Sequence, residues 1–500
     1  MMLRLTCSTL AVMAMTAPAA FSLSADEVWK NWTDYLTASG YEIAIGNREG
    51  GGDALVLRDV VLRMATDETS TVTVTLPVIR MGQTGGGDVR TEYSEPATFE
   101  FTGRADDDDM RVTGSVDLTR LETITREEGG HQVDTTTAPE AVIVLDALNV
   151  DGKSLGDAPM TLTMRDMTTT NTFLGSLNTL SDARIGSLTA VLDFADPEGE
   201  AAVKGQVDLT GLAFATETNF PAGTTSSTPA DLNAALRAGA TLSGKGGFAT
   251  LAMALDVTGD DSGEMQDLRL AIDSGGASGA FGLEDGRLLY QADLTDVDYE
   301  MESDQFPFPI QATLAAISTD LQFPLLATEA AQPFKFGYSL NDLVLNEGLW
   351  ALIDQQSVLP HEPASLDIDL TGDILVHEDL VTYSEKEPGE APPITPVALT
   401  MNQLALSALK ASAAVDGAVS FPQPGNLALA VGTLNARLDG VNGLLDTLSK
   451  AGFLGPDELQ GARMMMMMFA KPVDGQPDAL QSTLELHEDG SVFANGMQLK

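Results

Sequence analysis

The chain is short of cysteine, of positive charge and of large polar aromatics, and each shortage removes a class of function. Cys7 is the one cysteine in 500 residues. It sits inside the first apolar stretch, so the chain beyond it has no thiol. Disulfides, thiolate nucleophiles and Cys-ligated metals are excluded there. Lys and Arg number 27 against 73 Asp and Glu, a formal net charge of −46. Phosphate neutralisation needs clustered basic residues, so nucleic acid is excluded as a partner. No uninterrupted apolar run reaches the ~18 residues that a membrane-spanning helix needs. Three Trp and seven Tyr are too few for two aromatic girdles, which argues against an outer-membrane barrel.

What is present is an ordinary apolar fraction of 43%, enough for a large buried core. The acids are spread along the whole chain, the pattern of a solvated, self-repelling surface. The densest run, Asp106 to Asp109, lacks the alternating ligands and bidentate Glu of a calcium loop and reads as a hairpin loop. At about 150 residues per domain, the length suggests about three regions. Residues 1–25 read as a secretory signal: Arg4, an apolar run from Leu5 to Met15, then small residues at Ala17, Ala19, Ala20 and Ala25. Cleavage after Ala25 is expected, with Ala19 and Ala20 as alternatives. The three regions are then 26–220, 229–383 and 396–500, separated by the Pro-rich and polar segments Phe220 to Pro229 and Tyr383 to Pro396.

Five short helices are expected. Val28, Trp32, Tyr35 and Leu36 recur at helical spacing before Gly40. Thr228-Pro229 opens a second helix that stops at Gly239, with Pro in the first turn and Gly after the end. Leu349 to Ile353, Leu444 to Ala451 and Pro456 to Phe469 are the others. Elsewhere the period is two, as in Val72 to Leu76 and Phe334 to Leu340. The fold class is therefore mainly β, a β-rich α+β architecture of long, curved antiparallel sheets with bulges and a few short covering helices.

One pattern recurs. Apolar residues alternate, a polar pair intervenes, and alternation resumes on the other parity: Leu57/Val60, Met164/Met167, Leu209/Leu212, Leu294/Val297, Leu340/Leu343, Met401/Leu404 and Leu438/Val441. In a flat strand, this three-residue step throws the second half onto the opposite face. Either the pair is a two-residue hairpin or one residue is a bulge that restores the face and bends the strand. Among these seven pairs, Asp-Gly, which such hairpins prefer, occurs only at Asp439-Gly440, so bulges are expected. Leu55, Leu57, Val60 and Leu62 then share one side of a strand, as do Phe336, Tyr338, Leu340, Leu343 and Leu345.

Catalytic signatures are few. His131, His361, His377 and His487 stand far apart, and no His-Glu-x-x-His occurs. Gly-x-Ser-x-Gly is missing. Gly50 to Gly52 and Gly85 to Gly87 precede strands and lack a phosphate-loop Lys. No catalytic residue, cofactor or metal site is assigned. Five consecutive methionines, Met464 to Met468, lie in the last expected helix. The simplest reading is a helix buried on most sides, with Met filling irregular gaps. With Trp350, these residues form the candidate surface for an apolar ligand or partner.

Leu349-Trp350-Ala351-Leu352-Ile353-Asp354 with Leu359-Pro360-His361-Glu362, then Gly461-Ala462-Arg463-Met464, Phe469-Ala470-Lys471-Pro472 and Asp489-Gly490-Ser491-Val492-Phe493, resemble a family of uncharacterised secreted Gram-negative proteins, domain of unknown function 2125. Trp29-x-x-Trp32 after a signal is similar too, and the resemblance is expected over nearly the whole mature chain. It implies export to the periplasm and no established activity. The strand grammar and closing hairpin are also similar to periplasmic lipid-handling proteins of the assembly-suppressor type. The expected function is a non-enzymatic scaffold or envelope-assembly factor, with a lipid or an envelope protein as partner. The alternative is a carrier of lipid or another apolar ligand in a curved-sheet groove, and a hydrolase ranks third.

Overall fold

The computed structural model describes residues 23–65, 69–105, 108–150, 153–154, 160–175, 177–195, 202–226, 228–259, 267–383 and 392–499. Strands β1 (Glu42–Gly51), β2 (Ala54–Ala65) and β3 (Thr71–Gln83) pair antiparallel in order. β3 is then met by β4 (Val89–Tyr93) and β5 (Ala97–Ala105), end to end. β5 pairs with β6 (Asp108–Asp117) and β4 with β7 (Glu122–Glu128). Both of these pair with the long β8 (His131–Val150), whose end turns back as β9 (Lys153–Ser154). Next come β10 (Met160–Phe173), β11 (Thr179–Ala195) and β12 (Ala202–Asn219). β13 (Thr241–Phe248) and β14 (Thr250–Thr258) lie end to end between β12 and β15 (Leu268–Glu284). The meander continues through β16 (Arg287–Ser303), β17 (Ile310–Pro324), β18 (Gln332–Leu345), β19 (Ala364–Val376), β20 (Ile394–Ala408), β21 (Ala411–Ser420) and β22 (Val431–Asp439). It ends with β23 (Lys471–Val473), β24 (Gln476–Leu486), β25 (Val492–Ala494) and β26 (Met497–Gln498).

The result is one curved, wholly antiparallel sheet. Hydrogen bonding runs on across both Pro-rich segments, because β12 pairs with β13 and β19 with β20. About 20 inter-strand steps of roughly 4.8 Å give a path of about 100 Å along the sheet. The chain exposes 28569 Å². Size scaling gives about 17,600 Å² for a compact chain of 52.6 kDa. That area is the whole chain's, and the 26 strands among the described residues form one sheet.

Five helices decorate this sheet among the described residues, at the expected places. α1 (Ala25–Ala38) opens with a capping box: Ser24 accepts the Glu27 N–H at 3.2 Å, and Glu27 accepts the Ser24 N–H at 2.8 Å. Its Val28 and Trp29 pack on Leu55, Leu57, Val60, Ile79, Met81 and Val89, forming a fully buried cluster. α2 (Pro229–Arg237) is capped by Thr228. It sits at the same strand ends as α1, those of Gly51, Asn219 and Val376. α3 (Glu347–Ile353), α4 (Val441–Lys450) and α5 (Pro456–Phe469) follow strands that end on the opposite side, at Leu345 and Asp439. Among the described residues α1 packs on β1, β2 and β3, α3 on β17, and α4 on β21 and β24.

The three-residue steps resolve into three devices. Asp59, Asp166 and Asp296 lie in the left-handed region, with φ of 53°, 54° and 49°, and their strands continue without slipping register. Ile45 pairs with Val60 and Asn47 with Arg58, so Gly46 faces Asp59 directly. Pro77 occupies the other side. Asp166 lies between Gly186 and Pro139 in the same way, and Asp296 between Gly275 and Ala315. Aspartate tolerates this conformation better than most residues. The facing glycine leaves room for its side chain: a Cβ on Gly46 would lie 2.9 Å from the Asp59 Cβ. The step at Leu209/Leu212 uses Gly211, φ 62°, in the same row as Gly186. These four are in-register left-handed residues rather than the expected bulges. A true register shift occurs at Met401/Leu404, and Leu340/Leu343 combines both devices: Asp342 is left-handed, φ 55°, and in register with β17, while the pairing with β19 shifts. Leu438/Val441 is neither: β22 ends at Asp439, and Gly440 at φ 74° leads into α4. The chosen face is kept throughout, as Leu57 and Val60, fully buried in one cluster, demonstrate.

Candidate functional site

Cross-strand register turns the alternation into a lane. On the face that carries α1, Ile43 pairs with Leu62, then Val74, Phe99, Gly114 and Leu145 follow, each directly opposite the last. The row continues through Met160, Leu192, Gly205, Leu255, Leu270, Met301 and Ile310. Thirteen strands contribute, and none places a polar side chain in the row. Beyond the left-handed residues, a second row on the same face runs Phe281, Tyr290, Leu321, Phe336, Leu370 and Met401. It goes on through Gly417, Leu434, Leu484 and Ala494.

The opposite face is polar. It carries the ion pairs Arg165–Glu140 (3.3 Å), Arg269–Asp256 (3.0 Å) and Lys335–Asp320 (2.7 Å). In β21 the residues of the polar face, Ser412, Ala414, Asp416 and Ala418, are exposed, while Ala411, Ala413 and Val415 on the lane face are half-buried. Alanine stands on both faces, so size does not explain the difference. Curvature and larger neighbours shield the lane. Shielding is incomplete: Met160, Phe281, Tyr290 and Leu406 are each at least 40% exposed. Among the described residues the lane is thus apolar and partly sheltered, and its first members, Ile43 and Leu62, pack against the α1 cluster.

One end of this face is polar and sealed. Asp134 accepts from Trp32 Nε1 at 2.6 Å and from Gln132 at 3.0 Å. Its burial holds the carboxyl above the usual range, against these hydrogen bonds. The nearby Tyr93 hydroxyl is pushed up to about 12, first by burial and then by Asp134. α1 is therefore tied down by polar bonds as well as by Val28 and Trp29.

The candidate residues of the sequence do not converge. Met464, Met465, Met467 and Met468 are 57%, 60%, 77% and 49% exposed, and Met466 is half-buried. The reading of a helix buried on most sides is corrected: α5 packs on α4 alone among the helices and turns most of its surface outward. Trp350 lies in α3, stacked on His361 with ring centroids 4.4 Å apart. His361 Nδ1 lies 3.0 Å from Glu347 Oε1. His377 bonds Thr395, and His487 lies against Phe493. No histidine shares a site with another. Among the described residues, no group of three or more His, Cys, Asp or Glu is placed to hold a metal ion. Asp106 and Asp107 lie outside the described residues. No helix among the described residues is long and apolar enough to cross a membrane. The lane residues were invisible as a site in the sequence, since each strand shows only one or two of them and register alone aligns them.

Residues 285–499 match a family described as an uncharacterised protein conserved in bacteria, DUF2125. The match spans β16 to β26, and is shorter than the near-complete resemblance expected. No curated protein matches the chain. Among solved structures, the alcaligin outer membrane receptor FauA from Bordetella pertussis is similar at 8% identity. That similarity covers 91% of this chain and 69% of that one, with a TM-score of 0.15. The ferric preacinetobactin receptor BauA from Acinetobacter baumannii, also at 8% identity, covers 88% and 74%, with a TM-score of 0.13. Scores this low carry no argument about architecture or activity.

Proposed function

We propose that this protein is an exported, non-enzymatic carrier that holds acyl chains along the apolar lane of its sheet. The observation behind this reading is the thirteen-strand row from Ile43 to Ile310, unbroken by a polar side chain and left half-exposed. A scaffold would fill such a face with its own side chains. An extended peptide laid along it would bury its own unpaired backbone groups, since the sheet's amides and carbonyls are used in its ladders. An acyl chain has no such groups, and each buried methylene gains about 0.8 kcal/mol.

The apolar start of the chain and its thiol-free remainder support export to the periplasm. Cleavage after Ala25 would remove Leu23, which packs on the buried cluster, and Ser24, which caps α1. A mature start at Ala20 or Phe21 preserves both. Intact mass of the protein from its native host checks this, and a retained Met1 overturns export. The carrier reading is tested by native mass spectrometry and organic extraction of protein prepared from an envelope fraction without detergent. Bound lipid is expected. Protein free of lipid, with a melting curve unmoved by added phosphatidylcholine, overturns it.

A further inference from the structure

α5 carries five consecutive thioethers, and the helix sorts them by side. At about 100° per residue, Met467, Met464, Met468 and Met465 fall in that order around an arc of about 160°. All four are exposed. Met466 stands on the far side, half-buried, on the flank of Arg463, whose guanidinium bonds Asp446 of α4 at 2.6 Å. The arc therefore turns away from α4, the helix on which α5 packs. Met467 and Met468 follow Met464 by three and four positions, which places Cβ atoms about 5–6 Å apart. Each sulfur sits on an unbranched, adaptable side chain, so three of them can reach one point.

We propose that Met464, Met467 and Met468 form a binding site for one soft monovalent cation, Cu(I), held by three thioether sulfurs. Thioethers are soft donors and select Cu(I) over the hard cations that oxygen ligands prefer. This donor class is distinct from His, Cys, Asp and Glu, which gather no metal-holding group of three among the described residues. Leucine would serve an apolar contact as well as methionine does, and sulfur is what methionine adds. The surroundings favour a cation. Met467 and Met468 lie in the last turn of α5, at the negative end of the helix dipole, and that turn holds no basic residue. Arg463 and Lys471, the basic residues on either side, are engaged by Asp446 and by the Asn495 carbonyl. The net charge of −46 draws cations to the surface as a whole.

The probe is Cu(I) held by the chelator bicinchoninate under nitrogen. It is titrated with the untagged full chain carrying Cys7→Ser, so that no thiol competes. Loss of the chelate colour is expected to show one Cu(I) taken up per chain, and X-ray absorption to show sulfur ligands. Met464→Leu, Met467→Leu and Met468→Leu together should weaken uptake at least tenfold. Leu keeps the volume and apolar character of Met, so a surface built only for apolar contact would not register this change. Met466→Leu should bind as the parent does. Thermal melts show whether each variant is folded, and the parent titration needs no variant. No uptake by the parent, undiminished uptake by the folded triple variant, an equal loss in Met466→Leu, or oxygen and nitrogen ligands around the metal overturns the site.

Discussion

Asp296 sits in the left-handed region directly across from Gly275, and a Cβ on that glycine would lie 2.9 Å from the Asp296 Cβ. The two residues are one device: the aspartate lets the strand keep its apolar face through a three-residue step, and the glycine makes room for it. Gly275→Ala is expected to destabilise by about 1–3 kcal/mol through overpacking, and Gly46→Ala similarly. Asp296→Val should cost roughly 1–2 kcal/mol from left-handed strain, while Asp296→Gly should be tolerated. Urea unfolding of the four variants checks the set.

Asp134 makes part of the stability pH-dependent. Its folded carboxyl is held above the ordinary value of 3.8, chiefly by burial. The folded state therefore binds this proton before the unfolded state does. Stability from this group rises as pH falls from neutral through the raised value toward about 3.8, and is lost as pH rises. Wild type should gain on Asp134→Asn as pH falls from 7 toward 3.8 in paired urea melts. A difference independent of pH would refute the assignment.

Asp379 has the opposite sign. Arg237 and Asn233 of α2 and the Ala327 N–H all bond its carboxylate, which is held at about 2. Its contribution is present above about 4 and lost as pH falls toward 2. Arg237 is half-exposed, so screening cuts the benefit to about 1 kcal/mol. Asp379→Asn should lower stability by that amount at pH 7 and by almost nothing near pH 2.

The methionines of α5 should oxidise first. Met465 and Met467 are 60% and 77% exposed, whereas Met81 is buried and Met253 half-buried. Dilute peroxide followed by peptide mapping should find sulfoxide at Met465 and Met467 before the strand methionines. Met467→Gln should leave the melting curve nearly unchanged, as surface substitutions do within about 0.5 kcal/mol.

Local chemistry is short-ranged, so it could be read directly. Thr228-Pro229 and Pro456 mark helix starts because caps and first-turn prolines act within three or four residues, whereas the Ser24 cap was read only as part of the signal. Period-two alternation marks strands for the same reason, and the polar pairs mark where each strand changes parity. Whether such a pair is a bulge or an in-register aspartate depends on what stands across from it. That is why Gly46, Gly186 and Gly275, at 13, 20 and 21 positions from their partners along the chain, carried no visible signal. The exposure of Met464 to Met468 is decided by whether another element packs on α5, which its own composition cannot specify. The lane is the extreme case. Every strand determined by itself which of its side chains were apolar, and the register of twelve successive pairings then decided that Ile43 and Ile310 belong to one continuous surface.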